Sequence, residues 1–294
     1  MGYLYLLLSK IAAMAKMISV KKSGNIAKGA KNSVKINLLR SLGCVAVALI
    51  VCTFSGFEKM TSAGIWITLI SGISNGLLLF SWILAAACAP MITVEVFCMI
   101  GGVVIPLIIS PIFLSGESVT LIQWIGSALL FVAVFCFSKQ KGGGKITPKS
   151  ILLMCVAGLS NAGGVITQKF YQEYKGGTVA DFQLGTYIFT IAVLIIVFYI
   201  MAAFTKKEST ESESRITKRA LFFITLAFVM TYASQFLGTL AAGKIEPAVL
   251  FPLAYVISMP MIFLVDVIFF KEKVSLRNII GLVVVTASGV LINI

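Results

Sequence analysis

Charged side chains inside long apolar runs are the first residues whose chemistry stands out. Lys10 and Lys16 fall in the run 2–20, Glu95 in 91–114, Lys169 at the close of 150–168 and Asp266 in 247–270. A charge at the centre of a membrane helix costs roughly 2.5–3.5 kcal/mol on insertion scales, so each one calls for a partner, water or a task. Ser9, Ala12 and Lys16 share one helical face, and Lys16 is expected to line a cavity. The alternatives are a long stem that snorkels to the interface, or a permanent Lys16–Glu95 pair. Lys169 stands at a helix end, where snorkelling competes with a binding role. Glu95 lies about a turn inside its helix, and Asp266 is close to Lys271 and Lys273, so both also read as interfacial.

Uncharged polar residues add a second pattern. Ser71, Asn75 and Trp82 fall on one face at i, i+4 and i+11, and Thr231, Ser234, Gln235 and Gly238 form a similar stripe. Under the internal repeat described below, Asn75 corresponds to Tyr232. Two polar faces near the midplane suit a substrate cavity between two halves, with Lys16, Asn75, Trp82, Glu95, Tyr232, Gln235 and Lys169 as its candidate residues. The competing reading is interhelical hydrogen bonding, worth about 0.6 kcal/mol on average in membranes. A cavity with these lysines is expected to receive a solute with an anionic group.

Other chemistries find little support. Histidine is absent, which removes the commonest general base and metal ligand. The six cysteines have no metal-type spacing and lie in or beside apolar runs. Gly142-Gly143-Gly144-Lys145 is followed by Ile146, so the hydroxyl of a phosphate loop is missing. The net charge of +13 sits in short loops and forms no basic face interleaved with aromatics, which argues against nucleic acid. No cofactor is expected, and paired intramembrane carboxylates for an enzyme on lipid-linked substrates are missing.

The elements that position these residues follow from composition. Of 294 residues 59% are hydrophobic and 12% charged, with a mean hydropathy of +1.02. A water-soluble surface needs more charge, whereas membrane lipid is an apolar solvent. Runs of about 20 residues without strict alternation predict helices, because each span must satisfy its own backbone. The predicted spans are 2–20, 38–56, 63–87, 91–114, 119–138, 150–168, 183–204, 218–240, 247–270 and 275–293. Lys10 and Lys16 interrupt the first run, which reads as a helix and not a signal peptide. Glu117 and Glu272, in short turns, read as helix caps, and Gly72-x-x-x-Gly76 as close helix packing.

The two halves resemble each other. Ile67-Thr68-Leu69 recurs as Ile224-Thr225-Leu226, and the same shift carries Pro90 onto Pro247 and Ala85 onto Ala242. Glu117, Val119, Leu121 and Gly126 correspond to Glu272, Val274, Leu276 and Gly281, and Lys16 to Lys169. Prolines interrupt both partner helices, Pro106 and Pro111 in one, Pro252 and Pro260 in the other. Five helices per half predict an inverted repeat, with units 1–138 and 150–294 joined by a linker at 139–149.

Phe270-Lys271-Glu272-Lys273-Val274-Ser275, followed by Ile280-Gly281 and Gly289-Val290-Leu291, resembles the terminal repeat of EamA-type transporters. Ser115-Gly116-Glu117-Ser118-Val119, then Gly126, is similar to the same element in the first half. The resemblance implies the drug/metabolite transporter superfamily: ten helices in two five-helix halves. The expected function is a secondary transporter of a small metabolite in the cell membrane, working by alternating access. A non-transporting scaffold or lipid flippase subunit is the alternative. Eighteen Lys/Arg in the odd loops against four in the even ones predict both termini outside, whereas the resemblance implies termini inside.

Overall fold

The computed structural model describes residues 1–24, 30–88, 91–113, 120–137, 147–174, 176–204, 218–270 and 275–292; some side chains within the helices, those of Glu95 and Asp266 among them, are outside the description. The described residues form ten helices and no strand: α1 (Gly2–Gly24), α2 (Ala30–Ser55), α3 (Ser62–Cys88), α4 (Met91–Phe113), α5 (Leu121–Phe137), α6 (Pro148–Glu173), α7 (Val179–Phe204), α8 (Lys218–Ala242), α9 (Pro247–Phe270) and α10 (Leu276–Ile292). Glu117, Glu272 and the 139–146 part of the linker lie outside the described residues.

Seven helices, α1 to α3 and α6 to α9, are long and apolar enough to cross a bilayer. Ten helices are expected and ten are present; seven of them meet this measure of length and apolar composition among the described residues. Leu4, Leu7, Leu8 and Ile11 on α1, and Ile65, Trp66, Ile70 and Ile73 on α3, are exposed. In water such surfaces would be costly; against lipid they are the favoured outer face, and the chain is a multi-pass membrane protein.

Local chemistry sets several boundaries. Thr147 caps α6: its side chain accepts from the Ser150 backbone N–H at 3.2 Å, and Ser150 Oγ accepts from the Thr147 N–H at 2.8 Å. Pro148 occupies the first turn, where no N–H is needed. Thr178 starts α7 by accepting from the Asp181 N–H at 3.1 Å, while Asp181 accepts from the Glu58 N–H at 3.2 Å and ties the end of α2 to α7. Two boundaries differ usefully from expectation. Helix α2 begins eight residues before the predicted 38 and takes in the polar segment with exposed Lys35 and buried Asn37. Helix α6 runs five residues past 168 and takes Lys169 inside it.

Small residues bring the helices together. A Cβ on Gly101 in α4 would lie 2.1 Å from the Gly158 carbonyl oxygen in α6, so the two backbones touch. A Cβ on Gly72 would meet Phe189 Cβ at 2.3 Å and one on Gly76 would meet Val193 Cβ at 2.7 Å, so the Gly72-x-x-x-Gly76 stripe seats α3 on α7. Helix α3 also lies along α6 and α8 along α1, while α2 packs on α7 and α5 on α10. Buried Leu6, Ala241, Ala242, Ile245, Leu250 and Phe251 close the bundle where α8 ends and α9 begins. The interior beside that plug is left for a cavity.

Candidate functional site

The bundle encloses a cavity of about 330 Å³, in the size range of sites for small molecules. Helices α1 to α4 and α6 to α9 all contribute to its wall, and no described residue of α5 or α10 does. Its lining reaches Val20 near the end of α1 and Asn37 near the start of α2, the end of the bundle opposite the Leu6–Phe251 plug.

Three cations face this space: Lys10 and Lys16 from α1 and Arg40 from α2. No described lining residue is Asp or Glu. Lys10 Nζ stands 5.6 Å from the centroid of the Tyr255 ring on α9, so a π face supplies part of the stabilisation that water would give it. Arg40 is only 7% exposed and has no hydrogen bond or ion pair among the described residues.

Amides and hydroxyls knit the rest of the wall. Gln168 on α6 donates to Gln235 Oε1 on α8 at 2.5 Å. Asn161 Nδ2 donates to the Cys98 carbonyl at 2.8 Å and to the Tyr255 hydroxyl at 2.5 Å, joining α6 to α4 and α9. Asn75 Nδ2 donates to Thr190 Oγ1 at 3.1 Å, and Ser9 Oγ to the Ser234 carbonyl at 2.8 Å. Gln183 Nε2 on α7 donates to Thr239 Oγ1 at 2.9 Å. The wall is apolar over most of its area, with neutral hydrogen-bonding groups and three cations set into it. It can bind and orient a solute that carries polar groups.

Of the residues expected from sequence, Lys16, Asn75, Trp82 and Gln235 line the cavity together. Glu95 is on α4 and its side chain lies outside the description. Tyr232 is elsewhere: it is 5% exposed, packs against Tyr187 and stacks on Phe236, and its hydroxyl has no described partner. The repeat aligned it with Asn75, but it points about a third of a turn away from the Ser234, Gln235 and Gly238 face. Lys169 also leaves the cavity. It sits one residue past Gln168, about 100° around the helix, and its Nζ reaches the Ile245 carbonyl at 3.4 Å and Glu173 at 3.9 Å. The correspondence of Lys16 and Lys169 thus places only the first in the wall.

Arg40, Asn161, Gln168, Gln183 and Tyr255 are lining residues that the sequence reading did not select. A signal existed for two pairs. Asn161 and Gln168 are seven residues apart on α6, and Gln183 and Thr186 are one turn apart on α7, so each pair marks a polar stripe. Arg40 had none beyond its charge: it stands third in the predicted span 38–56, directly after a run of basic residues.

One solved structure, described only as a crystal structure of a protein, shares the fold with a TM-score of 0.66 at 13% identity, over 96% of this chain and 97% of the other. No protein-family model matches the chain. No curated protein matches it either. At that identity the likeness carries the fold alone, and together with the apolar helices it makes this chain a multi-pass helical membrane protein with a fold also found in a solved structure.

Proposed function

We propose that the protein is a secondary transporter that carries a small polar metabolite through the central cavity by alternating access. The observation that carries this reading is the make-up of the wall: both halves of the chain supply it, through α1 to α4 and α6 to α9, while α5 and α10 stay outside. A scaffold has no need for a cation-bearing space in the middle of a membrane, where each such group is costly.

The packing supports a two-fold exchange of the halves. If α1 corresponds to α6 and α3 to α8, the α3–α6 contact maps onto α8–α1, and the α2–α7 and α5–α10 contacts map onto themselves. Five helices per half then make the repeat inverted, and rocking one half against the other would expose the site alternately to each side. On this reading, and on the motifs around Glu117 and Glu272, we place the chain with EamA-type transporters in the cell membrane, with units 1–138 and 150–294. It performs no bond-making step, and any coupling comes from a solute or ion gradient.

The test is exchange in vesicles. Purified protein is reconstituted and loaded with a mixture of unlabelled metabolites, and uptake of labelled members is followed. Gly164 lines the cavity and a Cβ there would meet nothing within 4 Å, so Gly164→Leu fills space without breaking a helix contact. Saturable exchange by the native protein, abolished in folded Gly164→Leu, is the expected result. Folded protein that exchanges no solute above empty vesicles would leave the scaffold reading in its place.

A further inference from the structure

We infer that the solute held in this cavity is a small organic anion, its carboxylate or phosphate head group bound by Arg40 together with Lys10 and Lys16. That it is carried rests on the transport reading above; that it is an anion rests on the cavity wall.

Three formal positive charges line the space and no described lining residue is acidic. A cationic solute would meet repulsion from these side chains, and a neutral one would leave the buried Arg40 guanidinium, which has no described hydrogen-bond or ion-pair partner, uncompensated at membrane depth, where charge is most costly. An anion removes that cost. Arg40 is the residue best suited to the head group. It is buried, faces the cavity and has no described hydrogen-bond or ion-pair partner, and its planar fork of N–H donors matches two oxygens of a carboxylate or phosphate. Lys10 spends its charge on the face of Tyr255, an interaction that leaves ammonium N–H donors for a second acceptor. Lys10 and Lys16 are about 9 Å apart along the α1 axis, so a head group near Arg40 and Lys16 leaves Lys10 for a more distant polar group of the same solute. The amides of Asn161, Gln168 and Gln235 supply neutral hydrogen-bonding groups around the remainder.

Tryptophan emission can read the sign of the cavity directly. Trp82 lines it, whereas Trp66 and Trp124 are exposed on the outside. In a Trp66→Phe/Trp124→Phe protein in neutral detergent, Trp82 is quenched with iodide, caesium and uncharged acrylamide. Iodide is expected to quench about tenfold more effectively than caesium, as for an anion drawn into a cleft whose wall carries the opposite charge. Arg40→Gln should cut the iodide effect severalfold while acrylamide quenching, the measure of an open and folded cavity, stays unchanged. Should Arg40→Gln not fold, Lys10→Gln makes the same comparison.

Solutes are then tested for protection of Trp82 from iodide: succinate against succinamide, and glycerol 3-phosphate against glycerol. Protection by an anion and not by its uncharged counterpart is expected, and the effective pair tells carboxylate from phosphate. Caesium quenching equal to iodide while acrylamide reaches Trp82, or equal protection by the uncharged solutes, would overturn the inference. These are equilibrium measurements, so an anion-selective cavity in a protein that exchanges nothing sinks the transport reading alone.

Discussion

Lys10 and Tyr255 face each other across the cavity, with Nζ 5.6 Å from the ring centroid, and the Tyr255 hydroxyl is held by Asn161 Nδ2 at 2.5 Å. The contact joins α1 of the first half to α9 of the second, and α6 fixes the ring. Tyr255→Phe keeps the ring and deletes one acceptor, so the expected loss is about 1 kcal/mol. Tyr255→Leu also removes the π face from Lys10 and should cost a further 0.5–2 kcal/mol or so. Thermal unfolding of purified protein in detergent checks the order: native above Phe above Leu.

The Gly101–Gly158 contact makes a sharper demand on the backbone. A Cβ on Gly101 would stand 2.1 Å from a carbonyl oxygen that belongs to a helix and cannot swing aside. Gly101→Val is expected to lower the folded yield severely, read by size-exclusion chromatography of a fluorescent fusion. Gly164→Ala, which meets open space, should elute like the native protein. Equal yields for the two variants would mean that α4 and α6 are not in backbone contact.

Gln168 and Gln235 offer a pair whose coupling can be measured. Gln168→Leu, Gln235→Leu and the double variant form a cycle in which the interaction is expected at about 0.6 kcal/mol, with an upper bound near 1.7. Each single variant leaves an amide facing the cavity, where water can reach it, so neither should unfold the protein. A coupling of zero within error would mean that the 2.5 Å contact is not maintained in the membrane protein at rest.

Lys16→Met keeps the length of the side chain and deletes its charge. Normal folded yield with lost solute exchange is expected of a residue that meets the substrate. Unchanged exchange removes Lys16 from the site. Misfolding that Glu95→Gln repairs identifies a permanent pair instead.

Orientation can be read from Lys22, an exposed residue near the end of α1. Basic residues concentrate on that side of the bundle, and moving Arg40 and Lys169 into their helices leaves the asymmetry intact. Positive-inside counting therefore predicts that a single cysteine from Lys22→Cys is protected from an impermeant thiol reagent in intact cells and labelled after lysis. Labelling in intact cells favours the opposite orientation, with both termini inside.

The sequence by itself determined the solvent and the secondary structure. Runs of apolar residues with few charges have one stable form in lipid, the helix, so ten helices were legible within a few residues at most ends. It also marked Asn75, Trp82, Gln235 and Lys16, because polar residues inside apolar runs are costly enough to be visible one at a time. Tertiary structure alone decided which face of each helix looks inward. That choice turns on rotations of about 100° per residue, smaller than the drift in a repeat alignment, and it took Tyr232 into a packed aromatic cluster and Lys169 to the Ile245 carbonyl. Arg40 shows the same limit from the other direction. In sequence it is one basic residue at the start of the predicted span 38–56, and only the packing of α2 against its neighbours makes it a buried cation of the cavity wall. The reason is physical: the cost of burying a charge depends on what surrounds it, and the surroundings come from helices distant in the chain.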